Sequence, residues 1–258
     1  MIRLQPPDRA TALQRMLQTL AADLACDEAD LLGERTCVVE AREATGRRRF
    51  PQRASSFAMT TLGRGVVISC SANRLAWARA QLSGLDRGEL FATPTLAKIA
   101  ALVNQDQQSL AGPELKFLCA HNVLRAIPAP ASVAIDLVPR EQIPQLYAHN
   151  GFHNALGYRL DSPRPDVLAA VAWQNETLIG IAGASADNDQ LWQIGVDVRA
   201  EYRGSGVGKA LVSCLTEAIL AEGKVPYYST LVSNLQSSNL ALRIGYWLAW
   251  IEVYARER

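Results

Sequence analysis

The sequence predicts an α+β protein in two parts, and three observations carry that expectation. Residues 8–24 repeat Leu13, Met16, Leu17, Leu20 and Leu24 at helical spacing, which marks a helical N-terminal edge. Residues 166–198 hold three apolar runs, DVLAAVAW, TLIGIAGAS and LWQIGVDV, joined by short polar turns in the manner of an antiparallel meander. Between the two lies AIPAPA at 126–131, where Pro128 and Pro130 among small residues have linker chemistry. The boundary there separates an expected N-terminal α+β domain of unknown role, 1–130, from a C-terminal domain, 133–258.

Taken in order, Asp27 opens a short helix over DEADLL, and residues 36–43 and 57–71 read as strands, the second a hairpin around Leu62-Gly63-Arg64-Gly65. Arg42, Arg47, Arg48, Arg49 and Arg53 form a basic cluster expected to be a solvated hairpin end. Helices follow at 73–82 and 94–104, and Gly112-Pro113 introduces a strand at 114–119. In the second part VAIDLVP (133–139) is a strand, 140–148 a helix, and His149, Phe152, His153 and Asn154 belong to a connector before the meander. A helix with Val207, Leu211, Leu215 and Ile219 on one face then runs to Gly223. A strand opens at Pro226, a short helix covers 236–243, and a final strand covers 245–254.

The chain has 258 residues, 49% hydrophobic and 20% charged, a globular composition that excludes disorder as the main state. A formal charge of +1 leaves no global field to draw it to nucleic acid or an anionic membrane, so any polyanion must be caught locally. Five scattered cysteines without CxxC spacing read as free thiols, and with three isolated histidines they suggest no metal site. The N-terminus lacks the apolar core of a signal peptide and no run reaches about 18 apolar residues, so a cytoplasmic protein off the membrane is expected.

The sharpest feature is Arg203-Gly204-Ser205-Gly206-Val207-Gly208-Lys209, between a strand and a helix. Glycines let an anion approach the backbone, consecutive N–H groups can converge on it, and the helix N-terminus adds partial positive charge. Arg203 and Ala210 stand where a Walker A loop needs Gly and Ser or Thr. Lys209 and the preceding meander argue against a dinucleotide fingerprint.

The loop does satisfy Arg/Gln-x-x-Gly-x-Gly/Ala through Arg203, Gly206 and Gly208, with Asn234, Ser237 and Gly245-Tyr246 at matching offsets further on. Here the chain resembles the GNAT N-acetyltransferase superfamily, and AGASAD, WQIGVDV and PYYST look closer still to a bacterial subgroup of undefined substrate. The resemblance covers 133–258 and implies a mixed, mostly antiparallel central sheet flanked by helices. It implies acetyl-CoA as co-substrate and no metal. Val196 and Val198 would pair with the pantetheine arm as an added strand. Arg203, Gly204, Ser205, Gly206, Val207, Gly208 and Lys209 would hold the diphosphate. Asn234 and Ser237 would lie near the thioester, and the Val198 N–H would serve the oxyanion.

The family's usual proton carriers are missing: the base positions match Trp192 and Ile194, and the acid tyrosine matches Ala241. Substitutes are Tyr228 and Tyr227, which flank the site on opposite sheet faces, and Asp187 in the turn before the critical strand. The expected activity is direct acetyl transfer to a primary amine of a small molecule or peptide in a ternary complex, with a homodimer as a candidate assembly. The rival reading is a coenzyme A or acyl-CoA binding sensor of weak or no activity. A nucleic-acid module built on Arg47 to Arg49 is disfavoured by the charge balance. Acceptor identity is not written in the sequence.

Overall fold

The computed structural model describes residues 5–49 and 53–258, with the side chains of 53–55 also outside the described set. It is a mixed α+β structure with ten strands and eight α-helices among the described residues. By contacts the chain forms two compact units that interleave along the sequence instead of meeting at one boundary near 131–132. One comprises residues 1–15, 117–229 and 234–247, the other 16–116, 230–233 and 248–258.

In the second of these units, α2 (Glu28–Leu32) is capped by Asp27. It is followed by β1 (Thr36–Glu40), β2 (Arg53–Thr61) and β3 (Val66–Cys70), then α3 (Ala72–Leu82), the unforeseen single turn α4 (Arg87–Leu90), and α5 (Thr93–Asn104). The hairpin β2–β3 is antiparallel and β1 joins β3 in parallel. The last strand of the chain, β10 (Trp247–Glu257), pairs with β2 and lies between β2 and β4 (Gln108–Leu118). Val253 and Ala255 of β10 thereby enter a core with Phe57, Met59, Ile68, Leu82 and Ile99. β4 begins six residues earlier than expected and runs through Gly112-Pro113. At Gly112 (φ 95) a Cβ would stand 2.6 Å from the Glu252 carbonyl, so only glycine lets the two strands approach.

The basic cluster is corrected in part. Arg48 is buried, its Nε 2.5 Å from Asp23 Oδ2 and its Nη2 2.8 Å from Glu252 Oε2. Lys116, also buried, holds the other Glu252 oxygen at 3.0 Å and Glu114 at 2.7 Å. Two cations and three carboxylates thus satisfy one another in the interior, where an unpaired charge would be prohibitive. Arg47 does reach the exposed Glu43, and the Arg53 side chain lies outside the described residues.

In the other unit the first part of α1 (Arg9–Leu24) precedes the long segment from 117. β5 (Ala134–Pro139) leads into a 3-10 turn and α6 (Ile143–Leu146), shorter than the expected 140–148 helix, with Pro144 in its first turn and a turn-rich connector after it. The expected meander is present as β6 (Asp166–Gln174), β7 (Thr177–Ala186) and β8 (Leu191–Val198), all antiparallel, with β5 antiparallel to β6. Helix α7 (Val207–Ala221) covers β6 to β8 with Leu211, Leu215 and Ile219 buried. It leads to β9 (Val225–Leu231), parallel to β8, and to α8 (Leu235–Ile244). No helix among the described residues is long and apolar enough to cross a membrane.

Candidate coenzyme site

The site begins where β8 and β9 stop pairing. Their parallel register runs from Leu191↔Val225 to Ile194↔Tyr228, after which β8 continues through Val198 in register with β7. Along β8 the side chains alternate between two faces. Val198 points to α7, its Cγ2 lying 3.5 Å from a Cβ built on Gly208. Gly195 faces the other way, where a Cβ would collide with the Asn154 carbonyl at 1.7 Å, and a Cβ on its cross-strand partner Gly183 would meet Ala155 O at 1.9 Å. The connector therefore lies flat on a paired-glycine saddle. Asp197 fixes it there by accepting from Asn154 N (2.7 Å), Asn154 Nδ2 (2.7 Å) and Ala155 N (3.2 Å).

After β8 the chain turns through Ala200–Tyr202. Arg203 Nε donates to the Val198 carbonyl at 3.0 Å, and Ser205 Oγ donates to Tyr202 O at 2.6 Å, so both flanks of the loop are pinned. Gly204 (φ 79) and Gly206 (φ 97) take left-handed conformations that side chains disfavour, with open space where a Cβ would stand. Gly206 caps α7 without any side-chain acceptor, and the first turn of α7 holds no acid. The helix N-terminus is left positive and its N–H groups uncapped by the protein's own side chains.

A cavity of about 600 Å³ joins these parts. Val196 and Val198 line it from β8; Arg203, Gly204, Gly206, Gly208 and Lys209 from the loop and α7; Ser237 from α8. Of the loop residues expected to bind, Val207 is buried and Ser205 is engaged with Tyr202. Asn234 caps α8, its Oδ1 accepting from Ser237 N at 3.1 Å, and so orients Ser237 rather than lining the cavity itself. The sequence reading missed Gln236, Asn239, Leu240 and Arg243, a stripe at helical spacing on α8, and Tyr202. Their spacing was visible, but nothing in it told which side of α8 faces a ligand.

The three candidate proton carriers separate. Tyr227 is fully buried, and its hydroxyl donates to Asp187 and, at 2.9 Å, to Gln193 Oε1. Asp187, also fully buried, is ion-paired with Arg164, whose Nη2 reaches the same Gln193 oxygen at 2.6 Å. These two candidates are partners of each other in a closed cluster on the connector side. Tyr228 lies on the α7 side, where burial pushes its hydroxyl above the ordinary range and a hydrogen bond with Ser237 pulls the other way. It packs edge-on against Tyr246, 6.3 Å between ring centroids, and Tyr246 in turn holds Thr216 at 2.6 Å.

The mixed sheet with its pinned glycine loop can be set beside known proteins. Residues 137–246 match the model of the acetyltransferase (GNAT) family. The match covers this stretch of the chain, which is thereby similar to the GNAT acetyltransferases. Among solved structures it is similar to a GCN5-related N-acetyltransferase-like protein from Streptococcus suis, at 20% identity over 63% of this chain and 68% of that one, TM-score 0.47. It is also similar to a GCN5-related N-acetyltransferase from Kribbella flavida, at 15% identity over 62% of this chain and 63% of that one, TM-score 0.47. A third is an aminoglycoside N-acetyltransferase in complex with CoA, at 16% identity over 48% of this chain and 93% of that one, TM-score 0.34. No match is found among curated proteins.

Proposed function

We propose that the protein transfers an acetyl group from acetyl-CoA to a primary amine of a small molecule or peptide, directly within a ternary complex and without a metal. One observation carries the reading: a single cavity is lined by the end of β8 beyond its β9 partner and by a glycine loop whose helix N-terminus has no side-chain cap. The first offers main-chain groups to the amides of a pantetheine arm at Val196 and Val198, and the second offers N–H groups and partial charge to a diphosphate. Acetyl-CoA supplies the activated thioester; the protein's part is to hold it, position the amine and move protons.

Tyr228 is the proton donor for the departing thiolate, because burial keeps its hydroxyl protonated and Ser237 connects it to the cavity. Tyr227 and Asp187 act as positioning groups that hold β9 to the turn after β7 and, through Gln193, to β8 one residue before the strands part. Val198 lies four residues past the level of Tyr228, and the Tyr228 hydroxyl reaches Ser237, which lines the same cavity as Val198. The Val198 N–H serves the oxyanion, and the main chain of Val196 and Val198 serves the pantetheine arm.

A coenzyme A sensor without efficient turnover is the second reading, favoured by the closed Arg164–Asp187–Tyr227–Gln193 cluster, which occupies two of the three candidate proton carriers. Steady-state turnover of acetyl-CoA across an amine panel separates the two: amine-stimulated release of free thiol supports the enzyme, and binding without turnover supports the sensor. For the site itself, Gly208→Glu places a carboxylate in the cavity at a position where a Cβ makes ordinary 3.5 Å contacts. Saturating ligand stabilises a native protein by roughly 2.7 kcal/mol at a hundredfold excess over Kd. That thermal shift with coenzyme A is expected for the wild type and absent in Gly208→Glu; an unchanged shift in the variant overturns the assignment.

A further inference from the structure

A second cavity, of about 1030 Å³, is lined by residues between 29 and 88 and shares none of them with the coenzyme cavity. All of them belong to the unit that contains 16–116. Four stretches of chain form its walls: the end of α2, the start of β1, the turn between β2 and β3, and the turn from α3 into α4. Backbone contacts fix these stretches to one another. Gly65 N donates to Gly33 O at 2.9 Å, and a Cβ on Gly65 would stand 2.3 Å from the Arg35 carbonyl, so the hairpin turn lies flush on the start of β1. Thr36 Oγ1 donates to Leu85 O at 2.8 Å and Arg87 Nη1 to Arg64 O at 3.4 Å, which ties the α3–α4 region to both.

Arg35, Arg64 and Arg87 line this cavity from three of those stretches. All three are exposed, and none has an acid partner among the described residues. Asp30, Glu34 and Asp86 line it too, but two of these carboxylates are turned to backbone donors: Asp30 Oδ2 accepts from Asp27 N at 3.1 Å and Asp86 Oδ1 from Glu89 N at 2.8 Å. Of the lining acids Glu34 alone has no such role among the described residues. Three guanidiniums on one wall therefore face a single uncommitted carboxylate, and their mutual repulsion is relieved when an anion joins them. We propose that this cavity binds a small molecule carrying two or more phosphate or carboxylate groups. A guanidinium gives paired N–H bonds to either group, and Arg87 keeps most of its donors after the bond to Arg64. Because the arginines stand on separate stretches, a ligand with spaced anionic groups engages more than one of them. Among the described residues no aromatic ring lines the cavity, so recognition rests on charge and not on stacking.

The test is isothermal calorimetry with citrate, pyrophosphate and acetate on the full chain, as wild type, Arg35→Ala, Arg64→Ala, Glu34→Gln and Gly208→Glu. The wild type is expected to bind citrate and pyrophosphate more tightly than acetate, whose single carboxylate reaches fewer guanidiniums. Loss of one charge-assisted contact weakens citrate by about tenfold in Arg35→Ala and in Arg64→Ala. Both side chains are exposed and unpaired among the described residues, so the ligand-free melting temperature stays at the wild-type value. Glu34→Gln removes the opposing charge and tightens citrate, while Gly208→Glu, which alters the other cavity, leaves citrate affinity as it was. Pyrophosphate bound more tightly than citrate assigns the site to phosphate chemistry, and the reverse order to carboxylates. Citrate binding that survives both arginine substitutions, that is lost in Gly208→Glu instead, or that never appears at millimolar citrate overturns the proposal. Failure of the coenzyme reading leaves it standing as long as the losses follow Arg35 and Arg64.

Discussion

At the scale of single residues, the site depends on where side chains are missing as much as on where they are. Gly195 is the clearest case, because the connector carbonyl of Asn154 occupies the space a methyl group would need. Gly195→Ala must therefore lift the connector or bend β8, and overpacking of this kind costs about 1–3 kcal/mol or more. The expected result is a lowered melting temperature together with a raised KM for the amine, with the Kd for coenzyme A changed far less, since the saddle faces away from α7. Tyr228→Phe makes the complementary prediction. It keeps the packing against Tyr246 but removes the hydroxyl, so kcat falls by about a hundredfold if general acid catalysis is lost. Coenzyme affinity measured by calorimetry stays close to the wild-type value; retained kcat would give the proton to another group.

At the scale of elements, the loop and α7 were legible because their requirements are local: left-handed glycines, a pinned flank and an apolar stripe all fall within one stretch of chain. The connector was not, since its fixing group is Asp197, 43 residues from Asn154. Nor was the pairing of Tyr227 with Asp187, which Arg164 and Gln193 complete from 23 and 34 residues away. Within the connector region Asp166 accepts from Tyr147 Oη at 2.9 Å and Gly157 N at 2.8 Å, yet burial raises its pKa above the usual carboxylate value despite these bonds. The folded state then holds the proton more tightly than the unfolded state. As pH rises from the ordinary carboxylate pKa through the raised one, stability is lost, and above it the full penalty remains. Asp166→Asn can keep an oxygen for both donors without the charge. Its melting temperature relative to the wild type is expected to climb as pH rises above the ordinary carboxylate value and then level off; a gap that shrinks as pH rises would contradict the burial argument.

At the scale of the whole molecule, the sequence offered a single boundary while the contacts interleave. Residues 248–258 group with 16–116, and residues 1–15 and 117–130 group with the meander. No local pattern could reveal this, because the information lies in pairings such as Ile251↔Thr61 and Val253↔Met59 across nearly 200 residues. Arg48 was misread as solvated for the same reason, its partners being 25 and 204 residues away. A fragment of residues 133–258 is therefore expected to give no cooperative melt by circular dichroism and to aggregate on gel filtration. A cooperative transition in that fragment would restore a linear domain boundary. In the full chain Arg48→Ala leaves Asp23 and Glu252 without that partner, and breaking such a buried network costs about 3–5 kcal/mol. The loss should be read as a shift of the urea midpoint at constant slope.

The place of β10 has a consequence during synthesis. It is translated after the other nine described strands, yet it lies between β2 and β4, which leave the ribosome long before it. Until residues 247–257 have emerged, β2 and β4 each keep an uncovered strand edge, and edges of that kind invite pairing with the wrong strand. The β6 to β8 meander and α7 have no such wait, since each pairs with chain made shortly before it.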